Sequence, residues 1–485
     1  MQPALIVIIL ACTCRLLFAR YTGLGIDESY MVAASNQFDL SYFDHPLASW
    51  WLEIAARNFA GSEASIIVRF PFVALSALSS WLLFLLTRRL FSDAAGFWAV
   101  LAYTASPVFS LAFGCWILPD GPLDAALLAT AYMLTQAIGL ETKPDPRYWL
   151  GAGACAGLAV LSKYSAILVL LGAALFILTD PAARKQLRTP YPWIAAAIAM
   201  AFFTPVIWWN ATHDWQSFAY QSGRATGAKF HPAAFFTIFG GEALFLLPWI
   251  WVPMVVLLIS ALKNGRAVRK EWFLALLAVI PIMLFSVIGI WSGTRILYHW
   301  ATPGYLMLFP LLGNWLATWR PGLRNAIASF SVSLLLLGAG SVAVAENFWL
   351  LPHEELLFPA GKSPLLQAID WTSLNSEIPP YVQVIAAQRW YDAGKVSYGI
   401  GGRIPVTVLG GDPHQFANSA PPGCFLGQTV LILAMPGDES DVYKTYAPDF
   451  RYMLPGPALT VADHGHVLLV IPTILGVHML RAPQP

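Results

Sequence analysis

Charge is what this chain lacks most. Of its 485 residues only 11% are Asp, Glu, Lys or Arg, against about 25% in an average soluble domain. The net charge is +1, which argues against nucleic acid as a partner, since phosphate-backbone binding needs a basic surface. Five cysteines are present. Cys12, Cys14, Cys115 and Cys155 lie in or beside hydrophobic segments and Cys424 stands alone. That spacing gives no disulfide framework and no zinc signature, so no metal and no cofactor is expected. The first hydrophobic segment has no basic leader and no small-residue cleavage site, so it is expected to stay as a membrane helix. There is no internal repeat and no low-complexity stretch.

What the chain has is apolar length. It is 57% hydrophobic, with a mean hydropathy of +0.61. Only helices and closed barrels satisfy backbone polar groups in lipid, and the apolar runs are continuous rather than alternating, which selects helices. A polytopic α-helical membrane protein is expected. Eleven runs are long enough to span a bilayer, so about eleven transmembrane helices are expected: 3–20, 66–87, 94–114, 121–140, 148–162, 164–179, 192–209, 235–260, 272–291, 301–319 and 325–346. Arg88, Arg89, Lys143, Arg147, Arg184, Lys185, Arg188, Lys263, Arg266, Arg269, Lys270, Arg320 and Arg324 fall in alternate short loops, which the positive-inside rule places in the cytoplasm. The N-terminus is then inside and the C-terminal tail outside.

Two divisions follow. Residues 1–346 form the membrane domain, with a first outer loop at 21–65 that is too long for a turn. Its Tyr42-Phe43-Asp44-His45-Pro46 and Trp50-Trp51-Leu52-Glu53-Ile54 strings predict interfacial helices broken at Pro46. Residues 347–485 are richer in charge and proline. Strand-length apolar runs at Val382–Ala386, Val430–Ala434 and Val467–Ile471, with helical spacing at 363–376 and 388–399, predict a small α/β domain outside the membrane.

The unusual charges gather on the outer face. Asp27 and Glu28 follow directly after the first segment. They are either solvated acids at a helix start or hold a general base that removes a proton from an attacking hydroxyl, and spacing does not choose between the two. Asp120, in Leu118-Pro119-Asp120-Gly121-Pro122, is placed to cap the next helix or to face a cavity. Lys163 interrupts an apolar run, where a lysine either snorkels to headgroups or meets an anion. Arg295 and His299 are four residues apart, on one face if helical. A phosphate between Lys163 and Arg295 would neutralise both, with arginine supplying a bidentate fork. The expected site is a cavity holding both cations near Asp27 and Asp120. A donor on a lipid phosphate suits an outer-face transferase, because its leaving group is already acidic.

The strings Asp27-Glu28-Ser29-Tyr30, Tyr42-Phe43-Asp44-His45-Pro46, Arg69-Phe70-Pro71, Pro119-Asp120-Gly121-Pro122-Leu123, Leu161-Ser162-Lys163-Tyr164-Ser165-Ala166 and His299-Trp300-Ala301 occur in that order. Together they resemble the bacterial members of the protein O-mannosyltransferase and lipid A aminoarabinose transferase superfamily over about residues 20–320. The resemblance implies a GT-C glycosyltransferase fold and a polyprenyl-phosphate sugar donor. It assigns the base to Asp27, with Asp120 as the second acid, and adds Tyr30, Asp44, His45 and Arg69 as cavity candidates. Two departures stand out: Leu47 follows Pro46 where the family often has a second proline, and Leu297-Tyr298 stands where a Glu-Pro often precedes the His-Trp pair. The tail has no firm counterpart. The expected activity is sugar transfer in the bacterial inner membrane, from the polyprenyl phosphate to a lipid or lipopolysaccharide acceptor on the periplasmic face. A protein acceptor is the alternative, and a flippase or transporter is the rival of another class. Transporters usually place charges mid-membrane in repeated halves, which this chain does not show.

Overall fold

The computed structural model describes residues 1–35, 38–223, 230, 233–290, 297–348, 369–463 and 465–483. Seven helices need labels: α1 (Gln2–Tyr21), α2 (Ile26–Ala34), α3 (Ala48–Ala60), α4 (Ser65–Leu90), α5 (Asp120–Ala137), α6 (Tyr148–Ser162) and α7 (Trp390–Gly399). Among the described residues six helices are long and apolar enough to cross a membrane, and two bent pairs raise the number to eight. The bends are 84° between Asp93–Ala105 and Val108–Cys115, and 83° between Ala166–Thr179 and Pro181–Arg188. α6 and Ala233–Leu246 are shorter apolar helices. Six to eight spans thus stand among the described residues where eleven were expected, because several of the apolar runs are short or interrupted. The run 235–260 divides at Leu247, which has φ +78° directly before Pro248. A residue before proline is driven away from helical geometry, and here that ends the helix. The first bend falls at Ser106-Pro107 for the same reason. Pro71, Pro205, Pro253 and Pro281 stay inside helices.

By its contacts the chain divides into two compact units, and the division does not follow a single cut at residue 346. One unit comprises Met1–Leu16, Asp39–Ser49 and Phe70–Leu337. Among its described residues the regular secondary structure is all helical. Close approach replaces hydrophobic force in such packing: a Cβ on Gly153 of α6 would lie 2.5 Å from the Ala195 carbonyl oxygen of Tyr191–Thr212. Arg15, buried near the end of α1, donates to the Ser110 carbonyl (2.8 Å) and to Ser76 Oγ (3.1 Å). It thereby holds the π-helical turn Val108–Ala112, whose geometry leaves backbone groups displaced from ordinary helical partners.

The other unit comprises Leu17–Phe38, Trp50–Arg69 and Gly338–Pro485. Its sheet has the order β2-β1-β3-β7-β4, from β1 (Ile385–Ala387), β2 (Val406–Val408), β3 (Val430–Leu433), β4 (Phe450–Pro455) and β7 (Thr473–Met479). β1 pairs in parallel with β2 and β3, while β7 is antiparallel to β3 and β4. Strands β5 (Leu459–Asp463) and β6 (His466–Ile471) form a separate hairpin. Val384, Ala386, Ile432, Val442 and Ile474 build its core. The strand expected from Val382 begins at Ile385 and the helix expected at 388–399 is α7; of the helix expected at 363–376, residues 363–368 lie outside the described residues and the rest is helical only from Leu374, in the short helix Leu374–Glu377. The first loop carries α2 and α3, and α3 starts two residues after Pro46.

Candidate active site

The adjacent acids have opposite surroundings. Gly25 is extended and α2 begins at Ile26, so Glu28 lies in the first turn and reaches back to accept from the Gly25 N–H at 2.9 Å. That is the carboxylate half of a capping box. Arg69, only 1% exposed, grips the same carboxylate, with Nε to Oε1 at 2.7 Å and Nη2 to Oε2 at 2.6 Å. Its other N–H groups reach the Thr22 carbonyl (3.0 Å), Thr22 Oγ1 (2.9 Å) and the Gly23 carbonyl (2.7 Å). A planar fork with five donors suits such a junction. Glu28 and Arg69 therefore build the turn. Asp27, one residue earlier, is exposed.

Tyr30 is buried as well. Its hydroxyl accepts from the Gln415 N–H at 2.8 Å, and its ring meets Trp50, Trp390 and His414 edge-on. Sequence reasoning did not single out Glu53, which is fully buried in α3. Ser35 Oγ donates to it and Arg57 Nε lies 3.7 Å away. Burial pushes its carboxyl up to about 8, against the opposing pull of Arg57. A cavity of about 540 Å³ in this unit is lined by Arg20, Thr22, Glu63, Asp370 and Tyr398 among others. None of the residues singled out from the sequence as site candidates lines it.

In the membrane unit, Asp120 is 2% exposed and is the first residue of α5. Of the two alternatives for it, capping is not realised: Pro119 holds the cap position and no side chain caps the helix. Its carboxylate instead receives Lys163 Nζ at 2.9 Å on both oxygens. Lys163 ends α6 with an extended backbone, which swings its side chain out of the helical path. Its side chain is 12% exposed. Of the two alternatives for Lys163, headgroups or an anion, the structure shows an anion of its own chain, because a cation in an apolar unit needs compensation. One turn along α5, buried Asp124 accepts from Tyr103 Oη at 3.2 Å.

Asp44 is buried and His45 half-buried, and the Asp44 carbonyl accepts from Gln221 Nε2 at 2.5 Å. His299 sits in the 3-10 turn Tyr298–Ala301, with its ring 6.3 Å from that of Phe113. Arg295 lies outside the described residues. Among the described residues no three His, Cys, Asp or Glu side chains converge as metal ligands would.

Comparison with known proteins adds three matches. Residues 44–209 match a family described as dolichyl-phosphate-mannose-protein mannosyltransferase. The lipid A galacturonosyltransferase RgtD of Rhizobium johnstonii is 25% identical over 370 residues, covering 73% of this chain and 72% of that protein. The crystal structures of ArnT from Cupriavidus metallidurans, apo and bound to undecaprenyl phosphate, share the fold with TM-scores of 0.62. They are 15% and 16% identical to this chain, with 99% of each chain covered. Sequence match and fold agree: the chain shares the fold of these membrane proteins and is similar in sequence to glycosyltransferases.

Proposed function

We propose that the protein works in the bacterial inner membrane and moves a sugar from a polyprenyl phosphate to lipid A or another lipopolysaccharide component on the periplasmic face. The observation that carries this reading is the division of labour between the adjacent acids. Glu28 is buried in a clamp of guanidinium and amide donors, whereas Asp27 is exposed on the same turn. Asp27 is the base. It takes the proton from an acceptor hydroxyl as the oxygen attacks the anomeric carbon. The bond from that carbon to the phosphate oxygen breaks, and its electron pair leaves with the lipid phosphate.

Lys163 is the donor-phosphate cation. Asp120 takes up two of its hydrogen-bonding directions, and an ammonium has three, so one N–H remains to meet phosphate charge. Asp120 orients that ammonium. Arg295 and His299 are assigned to the same phosphate site, with Asp44 and His45 as further cavity candidates. The family matched over 44–209 is described by a protein acceptor, which makes protein O-glycosylation the second reading.

Mass spectrometry of lipid A, core oligosaccharide and envelope proteins from a deletion strain tests both readings. Loss of one sugar from lipid A or core, restored by the wild-type gene, is expected. Intact lipid A with a lost glycoprotein mass would move the acceptor to protein, and no lost sugar anywhere would refute transfer. Residues 21–65 and 347–485 are placed in the periplasm, opposite Arg184 and Lys263. Labelling of single cysteines in a background without the five native ones checks that placement.

A further inference from the structure

The turn that launches α2 has three consecutive carbonyls, and each accepts from a buried cation. Arg69 holds those of Thr22 and Gly23. Leu24 is held by Lys395 of α7, whose Nζ donates to the Leu24 carbonyl at 2.5 Å and to the Ile369 carbonyl at 2.9 Å. Lys395 is only 2% exposed. An ammonium in such a place is costly unless hydrogen-bonded, so its position and that of its acceptors are tied together. α7 also lies backbone to backbone on α2. A Cβ added at Gly394 would come within 2.7 Å of Tyr30 Cα, so only glycine permits the approach that brings Lys395 to Leu24. Trp390 and His414 close on the Tyr30 ring at 4.9 and 5.7 Å, and the Gln415 N–H fixes its hydroxyl.

We propose that Lys395 is a positioning residue for sugar transfer: it locks the 22–25 turn and so fixes where α2 presents Asp27. This rests on the reading of Asp27 as the base. The C-terminal part of the chain then takes part in the reaction by holding the base helix. Its contribution is orientation, for which a displacement of about 1 Å can cost on the order of 10²-fold in rate.

The test uses the full-length protein in detergent and in the deletion strain. Lys395→Met should speed hydrogen exchange of the amides at 25–30 by about tenfold or more through local opening. It should leave exchange at β3 unchanged and undecaprenyl phosphate binding intact. The amount of sugar-bearing product in cells should fall by about tenfold or more. Lys395→Arg, which keeps a cationic donor, should restore both exchange and product. Wild-type exchange at 25–30 or wild-type product in Lys395→Met overturns the proposal. So does loosening that reaches β3 and is not reversed by Lys395→Arg. Asp27→Asn separates the two claims. An active Asp27→Asn removes the base reading, whereas an inactive Asp27→Asn beside an active Lys395→Met removes the clamp alone.

Discussion

Two of the buried ion pairs, Glu28–Arg69 and Asp120–Lys163, share a chemistry but differ in their surroundings. In the first, both side chains are nearly inaccessible, at 3% and 1%, and the guanidinium is surrounded by carboxylate, carbonyl and hydroxyl acceptors. In the second the acid is as deep, at 3%, but the lysine is 12% exposed and its ammonium is bonded to one carboxylate. A saturated pair can only hold shape. A pair with a donor in reserve can exchange partners with a ligand. Hydrogen-bond saturation, more than burial, is what differs between the two pairs.

The largest effect that would break this contrast is on folding. Arg69→Met leaves Glu28 buried without its partner and should destabilise by about 3–5 kcal/mol, read as lost monodisperse protein in detergent. Replacing both members by Met should recover most of that loss, since apolar groups of similar volume often substitute for a buried pair. Next comes Asp27→Asn, expected to lower turnover by about 10²–10⁴. Its melting temperature should stay at the wild-type value, because an exposed substitution shifts stability by about 0.5 kcal/mol or less.

Lys163→Met should weaken undecaprenyl phosphate binding roughly ten- to hundredfold, the scale of a lost hydrogen bond to a charged group. Titration of purified protein measures it, and unchanged affinity would remove Lys163 from the phosphate site. The smallest effect concerns Glu53. Its carboxyl is raised from 4.5 to about 8 in the fold, so between these values the folded state binds more protons than the unfolded one. Its contribution is present below the unfolded value and is lost as pH rises towards 8, at no more than about 1.4 kcal/mol per pH unit. Glu53→Gln should flatten the fall in melting temperature between pH 6.5 and 7.5.

The membrane architecture was legible because lipid imposes a length and a polarity on each helix. The apolar helices, α3 after Pro46 and α7 can be read from the residues, whereas the number of spans and the non-helical stretch before Pro46 cannot. Proline was the ambiguous mark: Pro248 and Pro107 interrupt helices, whereas Pro71 and Pro281 sit inside them, and only neighbouring packing decides which. The pairings were not legible at all. Arg69 stands 41 residues from Glu28 and Lys163 stands 43 from Asp120, distances at which no periodicity operates. Spacing left Asp27 and Glu28 equal candidates, and the fold separates them through an arginine that sequence placed only loosely in the cavity.

The bond from Lys395 to Leu24 joins residues 371 apart in the chain, which has a consequence in time. Chains emerge at about 5–20 residues per second, so the turn before Asp27 is made roughly 20–70 s before the lysine that secures it. Through that interval the turn can be held by Glu28 and, soon after, Arg69, but not by its last fastener. A ribosome that stalls before residue 395 leaves a chain in which the turn ahead of Asp27 is held by Glu28 and Arg69 alone.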